Sequence, residues 1–313
     1  MPDKRKAEFI NYHKHGDGDC NGQTLKMSAY ILCMNKQQMF DLAYFYSITY
    51  CCASAIWMYL NKAAIAANPE SQAKKCKRLL VFESDRRWVA QENRLETMLK
   101  EWANGKIAEA FERATITKQG EIDIVKALEL VQGWYYFSRY SAYLFIETYC
   151  DIAGLTITQP NGLEYGGDRM TFAGGLFRYF GLDAMTANLR KKRKLPIDNR
   201  LFELMVKELQ ADVKNANGDD SWVKLETSLC AYDKMFKGKR YNGYYADRML
   251  QEVRQMQKEP ELAEACDIVM TARKLAIPIA YRGEDNGWNG IRKELKKYYT
   301  EYGEINWDQP NVR

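Results

Sequence analysis

From Lys26 onward the apolar residues recur three and four apart, and strand and turn chemistry interrupts this helical spacing at one place. That place is GLTITQPNGLEYGG, where Thr156-Ile157-Thr158 precedes Pro160-Asn161-Gly162. The spacing predicts a mainly α protein, with one small β-hairpin near 155–166. Lys26 to Leu60 reads as one or two helices, with a boundary near Asn68-Pro69. ESDRRWVAQENRLETMLKEWANG offers Ser84 or Asp85 as a cap, Val89, Leu95, Met98, Leu99 and Trp102 as an apolar face, and Gly105 as a stop. Further helices are expected over Glu121–Asp151 with a break at Gly133, Asp168–Phe180 closed by Gly181, Leu201–Val213, Leu262–Leu275 and Ile291–Tyr302. Residues 1–25 are polar, carry Gly16, Gly18 and Gly22, and read as an irregular leader; residues 26–313 read as a single helical domain.

The chain of 313 residues has ample apolar material for a core, and its net charge of +5 permits a polyanionic partner without demanding one. Its eight cysteines form no CxxC, and MPDKRKAEF has no apolar segment behind its charges. These features predict reduced thiols in a cytoplasmic protein, several of them acting as small core residues. The apolar run Leu42–Leu60 is interrupted by Ser47, Thr49 and Ser54, which suits a buried helix better than a membrane span.

The only histidines are His13 and His15, so a histidine-based triad within the body is excluded. HKHGDGDC brings His13, His15, Asp17, Asp19 and Cys20 close in sequence, but a polar terminus explains them equally well, and no metal is expected. No phosphate-cradling or dinucleotide glycine motif occurs.

Three stretches carry candidate chemistry. In QGWYYFSRYSAYLFIETYC, Tyr140, Tyr143 and Glu147 share one helix face, with Arg139 beside it. A carboxylate among rings either pairs with a base or has a raised pKa and serves as a general base. In LEYGGDRMTFAGGLFRYFG, two glycines and the capping residue Asp168 expose helix N–H groups that attract phosphate, and Arg169 can fork onto the same anion. Gly174-Gly175 inside that helix indicates close approach by another helix or by a ligand. The third stretch, SLCAYDKMFKGKRYNGYYADR, sets Lys234, Lys237, Lys239, Arg240 and Arg248 among Tyr232, Tyr241, Tyr244 and Tyr245. Cations hold phosphates and tyrosine rings stack on bases. RKKRK at 190–194, KKCKR at 74–78 and IRKELKKYY at 291–299 add to this electrostatic footprint.

FSRYSAYLFIE, GLEYGGDR and LCAYDKMFKGKRYNGYYADR resemble elements of the bacteriophage amino acid:DNA transferases, also called alpha-glutamyl/putrescinyl-thymine pyrophosphorylases. The resemblance covers Gln132 to Arg248. It implies a phage thymine-hypermodification enzyme, active in the cytoplasm of an infected bacterium. A separate kinase first pyrophosphorylates 5-hydroxymethyluracil in DNA, and the transferase then displaces pyrophosphate with the amine of an amino acid or polyamine. The implied partners are double-stranded DNA carrying modified thymine and a small amine, with no cofactor and no membrane.

On that reading Arg139, Arg169, Lys234, Lys237, Lys239, Arg240 and Arg248 are candidates for pyrophosphate and DNA. Glu147 or Asp168 is the base, and Tyr140, Tyr143, Tyr241, Tyr244 and Tyr245 hold the extruded nucleobase. Asp233 and Asp247 orient neighbouring cations. The competing readings are a non-catalytic helical nucleic-acid-binding protein and a glycosylase-type base-excising enzyme.

Overall fold

The computed structural model describes residues 2–15, 20–91, 93–158, 169–186, 189, 195–218, 222–237 and 244–277. The protein is mainly α: the described residues form fifteen α-helices and no named strand. The extended residues make only isolated bridges, Ile122 pairing with Ile116 and with Ile157. Ile157, expected in a hairpin, therefore pairs with Ile122, and residues 159–166 lie outside the described part.

Contacts group the chain into two compact units, each discontinuous in sequence. One comprises Cys20–Thr158 and Arg248–Pro278. It contains α2 (Cys20–Ile31), α3 (Lys36–Thr49), α4 (Cys52–Leu60), α5 (Lys62–Ala67), α6 (Pro69–Leu79), α7 (Arg94–Ala103), α8 (Lys106–Thr115), α9 (Ile124–Gln132) and α10 (Arg139–Ala153). Later in the chain it takes α14 (Tyr244–Met256) from Arg248 on, and α15 (Ala263–Ala276).

Helix α3 is the centre of this unit. Asn35 and Gln38 close a reciprocal capping box at its start, and every residue from Phe40 to Thr49 is buried. A helix apolar all round must be covered all round, and α4 and α10 lie against α3 while α15 packs on α2 and α4. Edge-to-face rings lock the interface: Phe40 meets Phe145 at 5.1 Å and Tyr149 at 5.4 Å, and Trp134 meets Phe145 at 5.0 Å. The hydroxyls in the apolar run are satisfied internally, Ser47 Oγ donating to Ala43 O at 2.9 Å and Ser54 Oγ to Val81 O at 2.8 Å. No helix of the described residues is long and apolar enough to cross a membrane.

The other unit comprises Met1–Asp19, Gln159–Asp247 and Ile279–Arg313. Its helices are α1 (Pro2–His15), α11 (Arg169–Tyr179), α12 (Asn199–Asn217), α13 (Trp222–Phe236) and the start of α14. Residues 2–15 and 20–25 are thus a correction to the expected irregular leader, since they are helical in α1 and α2, while residues 16–19 lie outside the described part. Few residues do the work: Phe9 and Tyr12 are fully buried, with Phe9 edge-on to Tyr179 at 5.5 Å and Tyr232 at 5.2 Å. The polar remainder of α1 pairs with its neighbours, Lys6 donating to Glu208 at 2.6 Å and Asp212 at 3.1 Å.

Helices α11 and α13 cross at the paired glycines. A Cβ at Gly175 would lie 2.1 Å from the Leu229 carbonyl oxygen, and one at Gly174 would lie 2.6 Å from the Asp233 carboxyl carbon. The glycines therefore admit another helix. All eight cysteines are free thiols, and six of them are buried.

Candidate functional site

Two residues marked in distant stretches of the sequence, Tyr140 and Arg248, meet at a third, Tyr50. Tyr50 ends α3 in the left-handed conformation, φ 53°, with its N–H on Tyr46 O. That conformation costs an L-residue about 1–2 kcal/mol, and such strained residues cluster at functional sites. The Tyr140 ring stands edge-on to Tyr50 at 6.5 Å, and the Arg248 guanidinium carbon lies 5.5 Å from the Tyr50 ring centroid. Tyr46 is tilted against Tyr50 at 5.6 Å and accepts from Asn21 Nδ2 at 2.8 Å. Tyr46 is buried and Tyr140 is 48% exposed, so the cluster runs from the core to an open ring.

Arg248 is held by two carboxylates. Its Nε donates to Glu252 Oε1 at 2.9 Å, one helical turn on, and its Nη2 to Glu83. The Glu83 N–H in turn donates to Thr49 O at 2.8 Å, fixing that segment to the end of α3. Burial pushes the Glu252 carboxyl up to about 7 and Glu83 adds to the rise, while Arg248 opposes it. Cys51 and Cys52 lie beside this carboxylate, and burial raises both thiols well above their ordinary value, so neither is a ready nucleophile at neutral pH. The arrangement supplies an exposed ring, a guanidinium and a carboxyl that titrates near neutrality.

Helix α10 carries the other expected residues of its stretch. Arg139 and Tyr140 are exposed in its first turn, which a Ser138–Ser141 capping box fixes. Glu147 is half-buried, two turns on. Tyr143, expected to stack on a base, is only 3% exposed. It is a core ring whose face no base reaches in this structure.

In the other unit, Asp233 is 5% exposed and gathers the cations. Arg178 Nε donates to its Oδ1 at 2.9 Å, and Lys237 binds Oδ2. Arg178 also donates to Asp183 at 2.7 Å, and Arg5 reaches the same Asp183 at 3.3 Å. Both guanidinium groups lie over the Phe236 ring, at 4.7 Å for Arg5 and 4.5 Å for Arg178. Asp233 orients cations, as expected, but Lys237 is engaged in this network. Lys234 lies on the face of α13 that bears Glu226 and Cys230 and hydrogen-bonds the Cys230 thiol. Glu226 is buried, and its carboxyl rises to about 7 through burial against the opposing field of Lys234. Tyr244 and Tyr245 are half-buried with centroids 5.4 Å apart, and Asp247 is buried. His13, in the supposed leader, lies 2.9 Å from Ser228 Oγ through Nδ1.

Asp168, Lys239, Arg240 and Tyr241 lie outside the described residues. Arg169 opens α11, and its side chain is outside the described part. Among the described residues no three histidine, cysteine or acidic groups are placed to hold a metal ion. Sequence reasoning missed Tyr50, Glu83, Glu252, Arg5 and Arg178. Glu252 alone carried a local signal, standing four residues after Arg248 on a helix.

No protein-family model matches the chain, and no curated protein and no solved structure matches it.

Proposed function

We propose that the protein is a DNA base-hypermodification transferase that displaces pyrophosphate from 5-(pyrophosphoryloxymethyl)uracil with a small amine. The observation that carries this reading is the meeting of Tyr140 and Arg248 at Tyr50, beside a carboxyl raised to about 7. In the proposed reaction the amine nitrogen forms a bond to the exocyclic methylene carbon. The carbon–oxygen bond breaks, and pyrophosphate leaves with the electron pair. The proton of the incoming ammonium goes to a carboxylate. A carboxyl near 7 is a better acceptor at neutral pH than one at its ordinary value.

Glu252 takes that role beside the earlier candidate Glu147, and Arg248 orients it. Tyr140 offers its open face to the extruded uracil. Arg139, exposed next to Tyr140, meets the leaving phosphates. The test is incubation with duplex DNA containing the pyrophosphorylated base and mixed amino acids and polyamines, followed by nucleoside mass spectrometry. The reading expects a nucleoside in which the amine, less one proton, stands in place of the pyrophosphate on the methylene carbon. An unchanged nucleoside with every amine, or release of the free base, contradicts it.

A further inference from the structure

The loop between α9 and α10 turns two rings inward and two outward. Trp134 and Phe137 are 7% and 5% exposed, whereas Tyr135 and Tyr136 are 43% and 37% exposed. The backbone between them is pinned. The N–H groups of Gly133 and Trp134 donate to Leu130 O and Val131 O at 3.0 Å each, and that of Phe137 to Trp134 O at 3.2 Å. The Tyr135 N–H is shared by both oxygens of Glu101, at 3.2 and 3.1 Å. Tyr136 is left-handed, φ 63°, a conformation that glycine takes freely and a bulky residue does not. A tyrosine stands there although its ring fills no core.

Arg94 fixes the direction of that ring. Its Nη1 donates to the Tyr136 hydroxyl at 2.7 Å and to the Trp88 carbonyl at 3.4 Å, and its guanidinium carbon lies 4.7 Å from the Tyr136 centroid. Trp88 is 56% exposed. The Glu101 carboxylate caps the Tyr135 amide, and the Arg94 cation lies against the Tyr136 ring. Arg87, adjacent to Trp88, has a side chain 70% exposed and reaches Glu83 only at 3.7 Å.

We propose that Trp88, Arg94, Tyr135 and Tyr136 form a stacking platform for the unpaired bases of single-stranded nucleic acid. These four residues are three planar rings and a guanidinium. That composition suits base faces and phosphates better than the apolar face of a partner helix. The backbone strain at Tyr136 has a use on this reading, because it holds the ring out to solvent. The proposal stands without the transferase reading, since none of the four platform residues belongs to the cluster around Tyr50.

The test is fluorescence anisotropy of a labelled oligothymidylate, with melting temperatures measured alongside. The wild-type protein is expected to bind. Tyr135→Ala and Tyr136→Gly are each expected to weaken binding about fivefold or more, while affinity for a duplex of the same sequence stays unchanged. Tyr136→Gly is expected to keep or raise the melting temperature, because glycine relieves the left-handed backbone. Four results overturn the proposal. They are absence of wild-type binding, unchanged single-strand affinity in both variants, an equal loss on duplex, and polyproline peptide bound in place of the oligonucleotide. A lowered melting temperature in Tyr136→Gly also counts against it, since the ring is then structural.

Discussion

Glu252 carries its carboxyl into a buried position beside Arg248, and burial outweighs the guanidinium, so the group titrates at about 7 in place of 4.5. Between those values the folded state holds a proton that the unfolded state has released. The stability this group contributes is full below the ordinary carboxylate range, falls as pH rises, and is lost above about 7. The size is ~3 kcal/mol for a shift of this extent. Glu226 behaves alike, so the effect is shared between two residues. Glu252→Gln is therefore expected to narrow the difference in urea-unfolding free energy between pH 5 and pH 8 by ~1–3 kcal/mol. An unchanged difference contradicts the assignment. Glu252 was open to reading as the i+4 partner of Arg248, but its burial was not, because that depends on α3 and the segment around Glu83.

Among the elements, the crossing of α11 and α13 shows what a helix pattern hides. Gly174-Gly175 read as a close approach by a helix or a ligand, and a helix backbone occupies the space. Gly175→Ala is expected to cost ~3 kcal/mol or more, because its Cβ would meet the Leu229 carbonyl oxygen at 2.1 Å. Gly154→Ala, with φ +66° and no neighbour within 4 Å, is expected to cost only about 1–2 kcal/mol. Equal losses in chemical denaturation contradict this account of the crossing. Asp233 lies in the same crossing and serves Arg178 and Lys237. Asp233→Ala is expected to destabilise by ~3 kcal/mol or more, because it leaves those cations without their buried carboxylate. Helix α1 was illegible for a related reason. Its buried set is small, chiefly Phe9 and Tyr12, and its cations find partners far along the chain, so neither apolar spacing nor local charge pairing announced it.

For the whole molecule, the helical class was legible because a period of 3.6 is a local property of the chain. The division into two units was not, since each is assembled from separate lengths of sequence and no linker composition marks a boundary. The candidate site was half legible. Tyr140 and Arg248 stand out as a ring and a cation in suggestive stretches. Tyr50, which joins them, lies in an apolar run that reads as plain core, and only tertiary packing turns its ring toward both.

The central claim is that Tyr140, Tyr50 and Arg248 form one chemical site. A double-mutant cycle tests it directly, with the rate of amine transfer to pyrophosphorylated duplex DNA read by nucleoside mass spectrometry. Wild-type protein, Tyr140→Ala, Arg248→Ala and the double variant are compared. Each single variant is expected to lose at least about tenfold in rate, and the double variant to lose less than the product of the two. Single variants that transfer at the wild-type rate, or losses that multiply independently, contradict the account.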